Sequence, residues 1–150
     1  MAKKKHIIGW IGLGKMGLPL ARRLLAEGHD LVVYDIASEK TEPLAAKGAK
    51  AVRSAREASR SSEFIFTMVS NDQALAEAVM GPDGALAEAP AGAVLVDMGT
   101  HSVETSAIVA KRAKEAKLAF LRAPVSGTRM HAENGTLMLF ASGSEAIYRR

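Results

Sequence analysis

Three glycines at Gly12-x-Gly14-x-x-Gly17 follow the apolar run Ile7-Ile8-Gly9-Trp10-Ile11 and precede a helical pattern, Leu20/Leu24 with Ala21/Leu25. A strand, a tight turn and a helix in that order aim free backbone N–H groups from the positive end of a helix dipole, which suits phosphate. Gly12 lets the chain reverse, Gly14 keeps a side chain out of the path of a pyrophosphate, and Gly17 lets the helix approach the strand. Leu13, Lys15 and Met16 complete the candidate cradle, with the Lys15 ammonium read as solvated. A second apolar run, Leu31-Val32-Val33-Tyr34, ends in Asp35, 23 residues after Gly12. An acid there is placed to hold a pair of ribose hydroxyls, so turn and acid together read as a dinucleotide site. The plainer alternative is a tight turn with an unrelated surface acid.

The elements that must position these groups alternate. Gly28 closes the first helix, and a second helix is expected from about Thr41 as cap, with Pro43 in its first turn and Gly48 at its end. A brief strand over Ala49–Val52 precedes Ser54-Ala55-Arg56-Glu57, a capping-box pattern that opens a short helix. Phe64 to Val69 reads as a strand buried on both faces, and Ser70-Asn71-Asp72 as the polar turn that caps a helix over Gln73–Met80. Ala93–Asp97 is a fifth strand, running through Gly99-Thr100-His101-Ser102 into a helix over Val103–Lys117. Ala119–Ala123 is a sixth strand, and Leu137–Ala141 is expected as a seventh. The expected fold is α/β, a doubly wound, mainly parallel, Rossmann-like sheet.

At 150 residues the chain is one domain, with a net charge of +4 and no cysteine. Disulfides and thiolate chemistry are excluded, and the histidines show no ligand spacing, so no metal site is expected. The 20 basic residues are dispersed and aromatic residues make up only 5% of the chain, which argues against nucleic acid. Lys3 to Lys5 read as a solubilising cluster, and Lys111, Lys114 and Lys117 as a solvated helix face. No apolar run nears membrane-spanning length and the start lacks a signal-peptide core, so a cytoplasmic location without membrane partners is expected.

The motifs Gly9-Trp10-Ile11-Gly12-Leu13-Gly14-Lys15-Met16-Gly17, Val96-Asp97-Met98-Gly99-Thr100, Ala123-Pro124-Val125-Ser126-Gly127 and Asn134-Gly135-Thr136-Leu137 stand in order along the chain. In them the whole chain resembles the cofactor domain of the β-hydroxyacid dehydrogenases, a family that includes 3-hydroxyisobutyrate dehydrogenase, tartronate semialdehyde reductase and 6-phosphogluconate dehydrogenase. The resemblance implies that Thr100 lies on the nicotinamide side of the cofactor and that Val69, Ser70 and Asn71 border the adenosine-ribose side. It also implies that Ser126, Gly127 and Thr128 hold the carboxylate of a small β-hydroxy acid. It places the acid–base lysine in a helix past Arg150 and the helical substrate and dimerisation domain outside this chain. The 150 residues alone are therefore expected to bind cofactor without turnover, with a homo-oligomer possible.

The chain departs from the family at Thr128 and His131, where glycine is common, at Arg122, where an acid is common, and at Gly99, where serine is frequent. His131 reads as a loop histidine near the rim, and His101 as a capping or solvated residue. NAD is expected over NADP, because Asp35 would face the extra phosphate with a like-charge cost up to ~4 kcal/mol at an effective dielectric of ~20. Ile36 stands where an NADP-binding relative would carry arginine. The competing readings are an imine or other carbonyl reductase of the same superfamily, and a non-catalytic NAD-binding interaction module.

Overall fold

Residues 4–150 are described by a computed structural model. The chain builds β1 (Ile7–Ile11), α1 (Gly17–Ala26), β2 (Asp30–Tyr34), α2 (Glu42–Ala45), β3 (Lys50–Ala51) and α3 (Ala55–Ser59). It continues with β4 (Phe64–Thr67), α4 (Asp72–Met80), β5 (Val94–Asp97), α5 (Val103–Glu115) and β6 (Ala119–Arg122). These six strands form one sheet in the order β3-β2-β1-β4-β5-β6, parallel throughout. The winding reverses between β1 and β4, and in such sheets ligands enter at the carboxyl ends beside that reversal.

Continuous apolar runs give strands buried on both faces. All four residues of β5 are buried. One face, with Ile8, Trp10, Val33, Val96 and Met98, packs on Ala21 of α1 and Leu44 of α2. The other, with Ile11, Ile65 and Leu95, packs on Ala58 of α3, Leu75 of α4 and Val109 of α5. The register pairs Ile11 with Tyr34 and Thr67, and Thr67 with Asp97, so the turns that follow these residues open on one rim.

Several expectations need correction. A 3-10 turn over Ser38–Thr41 precedes α2, and Thr41 does not cap it: its hydroxyl donates to the Ser38 carbonyl at 2.7 Å. The expected seventh strand is not part of the main sheet. Val125–Ser126 (β7) and Met138–Leu139 (β8) pair antiparallel as a separate two-stranded sheet, joined through α6 (Arg129–Asn134). Runs of two residues carry no periodicity for sequence reasoning to detect. A last helix, α7 (Glu145–Tyr148), follows.

Of the basic start, Met1, Ala2 and Lys3 lie outside the described residues; Lys5 pairs with Asp30 at 2.9 Å and Lys4 with Glu63 at 3.9 Å. Lys111 and Lys114 are exposed on α5, as expected of a solvated helix face, but α5 ends at Glu115, and Lys117 is exposed beyond it with φ +63°. Among the described residues no helix is long and apolar enough to cross a membrane.

Candidate functional site

Three hydrogen bonds brace the turn between β1 and α1, and a fourth fixes the Asp35 carboxylate that makes one of them. The Trp10 indole N–H donates to the Gly12 carbonyl at 2.8 Å, and the Gly12 N–H donates to the Tyr34 carbonyl at 2.9 Å. The Leu13 N–H donates to Asp35 Oδ2 at 2.7 Å, and the Ala37 N–H to Asp35 Oδ1 at 2.9 Å. A Cβ on Gly12 would overlap the Met68 carbonyl oxygen, and one on Gly17 would overlap the Gly12 carbonyl oxygen. Gly12 also has φ +98°, where side chains are strained. Gly14 differs: a Cβ there meets nothing within 4 Å. The N–H groups of Gly14, Lys15 and Met16 have no partner among the described residues. These are the unpaired donors that a helix start offers to an anion.

On the Asp35 side a crevice of about 180 Å³ is lined by Gly12, Tyr34, Asp35, Ile36, Val69 and Ala74. Burial, then the charge of Asp35, pushes the Tyr34 phenol above its ordinary value. Asp35 itself is nearly buried, with Lys40 Nζ 3.9 Å from Oδ1. On the outer side of the turn a crevice of about 350 Å³ is lined by Gly14, Lys15, Arg22, Lys40, Arg129 and Glu133. Sequence reasoning missed this gathering of cations because the residues are dispersed along the chain.

The other rim segments are less alike. Val69 is half-buried, and Ser70 and Asn71 are exposed. The Asn71 Oδ1 accepts from the Ala74 N–H at 2.8 Å, so this oxygen is committed to capping α4. Thr100 is exposed on the turn into α5 and lies outside the lining of the Asp35 crevice, as do Ser126, Gly127 and Thr128. Ser126 is exposed on β7. The Thr128 N–H donates to His131 Nδ1 at 2.9 Å, so this amide is engaged within the α6 cap. His131 is a helical residue at an exposed cap, and its Nδ1 acts as an acceptor there.

His101 is neither a cap nor solvated. It is buried with Nδ1 2.8 Å from Asp97 Oδ2, and the cap of α5 is Ser102, whose hydroxyl accepts from the Thr105 N–H at 3.1 Å. The missed signal was Gly99 two residues before it, which leaves room for a ring to fold back. Among the described residues no three histidine, aspartate or glutamate side chains group as metal ligands.

A protein-family model described as the NAD binding domain of 6-phosphogluconate dehydrogenase matches residues 7–150. The chain is 36% identical to the 2-(hydroxymethyl)glutarate dehydrogenase of Eubacterium barkeri over 148 residues, 99% of this chain and 49% of that one. It superposes on the 3-hydroxyisobutyrate dehydrogenase of Mycobacterium tuberculosis, determined with L-serine, with a TM-score of 0.91 and 31% identity, covering 98% of this chain and 50% of that one. It superposes on Psf3, determined with NADP+ and 2-OPP, with a TM-score of 0.88 and 29% identity, covering 95% of this chain and 50% of that one. The chain thus spans about half the length of the relatives it matches. The glycine turn, the switch-point crevice and these matches agree: the chain belongs to the β-hydroxyacid dehydrogenase family, as an NAD(P)-binding oxidoreductase domain.

Proposed function

We propose that this domain binds NAD in preference to NADP and presents its nicotinamide to a small β-hydroxy acid for hydride transfer. The observation that carries this reading is the set of unpaired N–H groups at Gly14, Lys15 and Met16 beside the crevice that Asp35 lines. The pyrophosphate lies on those amides, with Lys15 and Arg22 adding positive potential, and the remaining lone pairs of Asp35 accept from the 2′ and 3′ hydroxyls of the adenosine ribose. Leu13, Gly12 and Gly17 shape the turn, Val69 and Ser70 with Asn71 border the ribose, and Thr100 sits on the nicotinamide side. Ser126 and Gly127 hold the substrate carboxylate, and Thr128 shapes their loop through its bond to His131.

When bound, the nicotinamide accepts or gives the hydride; the residues of this chain bind, orient and screen it. The chain spans about half the length of its relatives, so hydride transfer is proposed for this domain as the cofactor-binding part of such an enzyme. The E. barkeri and M. tuberculosis relatives are named as dehydrogenases of hydroxy acids, which supports this substrate class.

Cofactor preference turns on Asp35 and its neighbours. Ile36 is 92% exposed and offers no cation to a 2′-phosphate, whereas Lys40 offers a partial counter-charge. The Asp35 carboxylate is nearly buried and fixed by two backbone N–H groups, whereas the Lys40 side chain is about half exposed, so the carboxylate's repulsion takes the larger weight in this reading. Calorimetric titration tests this: NAD should bind at least about tenfold tighter than NADP, a difference of about 1.4 kcal/mol. Tighter binding of NADP would remove the ribose role of Asp35.

A further inference from the structure

Asp97, Thr67 and His101 form a buried polar cluster at the carboxyl ends of β4 and β5. Asp97 is fully buried, and its Oδ1 accepts from the Thr67 hydroxyl at 2.9 Å and from the Gly99 N–H at 3.3 Å. A carboxylate in such a place has to be matched by donors, and His101 Nδ1, 2.8 Å from Oδ2, completes the set. The other ring nitrogen, Nε2, is buried with no partner among the described residues. The ring is therefore held by Asp97 alone, and something other than full hydrogen bonding keeps it inside.

The surroundings of Gly99 supply that reason. A Cβ at this position would overlap His101 Cε1 and come 3.0 Å from Nδ1 and 2.9 Å from the Val69 carbonyl oxygen. The imidazole fills the volume of an absent side chain at 99, in a turn that closes directly on Val69. A second tie joins the same two segments, because the Ser102 N–H donates to Asp72 Oδ1 at 3.0 Å.

We propose that His101 is a positioning residue: anchored on Asp97 and seated over Gly99, it clamps the Thr100 turn against the Val69–Asp72 segment, so that both rims meet the dinucleotide in fixed register. The inference rests on the functional reading given above. Gly99 and His101 are thereby interdependent, since a larger residue at 99 evicts the ring. The ring is the part that yields, because the Val69 carbonyl belongs to backbone that is tied into β4 and α4.

The test uses the described chain with four variants, NAD titration by calorimetry, amide hydrogen exchange and thermal unfolding by circular dichroism. His101→Leu fills the space without a donor; His101→Asn keeps an N–H near the Nδ1 position. The expected result is a loss of about tenfold in NAD affinity for His101→Leu, with faster exchange at Thr100 and Val69–Asn71, and substantial recovery of both in His101→Asn. Gly99→Ser should resemble His101→Leu, and adding His101→Ala to it should restore part of the binding, because only the 2.9 Å approach to Val69 then remains. Binding by His101→Leu within about twofold of the parent, with exchange at Val69–Asn71 unchanged, would overturn the clamp. So would exchange that rises uniformly along the chain in step with a lower melting temperature, the signature of a residue that only supports the fold. A parent chain that binds no NAD would overturn the cofactor reading instead, and the exchange comparison would then decide the clamp by itself.

Discussion

A Cβ built on Gly14 meets open space, whereas one built on Gly12 runs into the backbone of the neighbouring strand end. The two glycines therefore separate binding from folding. Gly14→Val should fold with an unchanged melting temperature and lose about tenfold or more in NAD affinity, because its side chain would enter the space proposed for the pyrophosphate. Gly12→Ala should cost about 1–3 kcal/mol of stability in chemical denaturation, through strain at positive φ. Unchanged affinity in a folded Gly14→Val variant would remove Gly14 from the site. At this scale the sequence was most legible where backbone geometry restricts residue type, as at Gly12 and Gly17, where a Cβ would overlap backbone. It was least legible where a contact spans separate segments. Nothing in the linear order says that the Asp35 carboxylate also fixes the Leu13 amide, or that His101 turns inward to Asp97.

Helix starts tie the rim together. Asn71 caps α4, Ser102 caps α5, and Asp72 links the two through the Ser102 N–H. The Ser102 hydroxyl, then its backbone N–H, hold the Asp72 carboxyl below the usual carboxylate range. A carboxyl lowered in the folded state contributes stability that is fully present above its unfolded value and is lost as pH falls through the folded one. Asp72→Asn should therefore flatten the acid side of the melting-temperature profile between pH values above and below the carboxylate range, and an unchanged slope would show that this link does not couple to folding. Strong apolar runs made β1, β2, β4, β5 and β6 readable with errors of one or two residues. Thr41 was misread because its hydroxyl closes a local turn in place of the helix start, and the β7–β8 pair because its register depends on α6 between them.

The sheet ends differently on its two sides. β3 is two residues long and carries Lys50, a blunt edge that discourages pairing with another chain. Beyond β6 lie Met138, Leu139 and Phe140, each more than half exposed, beside a crevice floored by Trp10, Phe66 and Met98. This apolar strip should drive association of the chain at high concentration, seen as a rising sedimentation coefficient, and Leu139→Glu with Phe140→Glu should suppress it. A monomeric mass at every concentration would refute the expectation. The whole chain holds a single tryptophan, and its ring N–H grips the carbonyl of Gly12 while its face stacks on Phe66 at 5.3 Å. The molecule thus carries its own optical gauge: any settling of the glycine turn reaches an indole two residues away, and ultraviolet emission from that lone fluorophore registers it without a dye or a label.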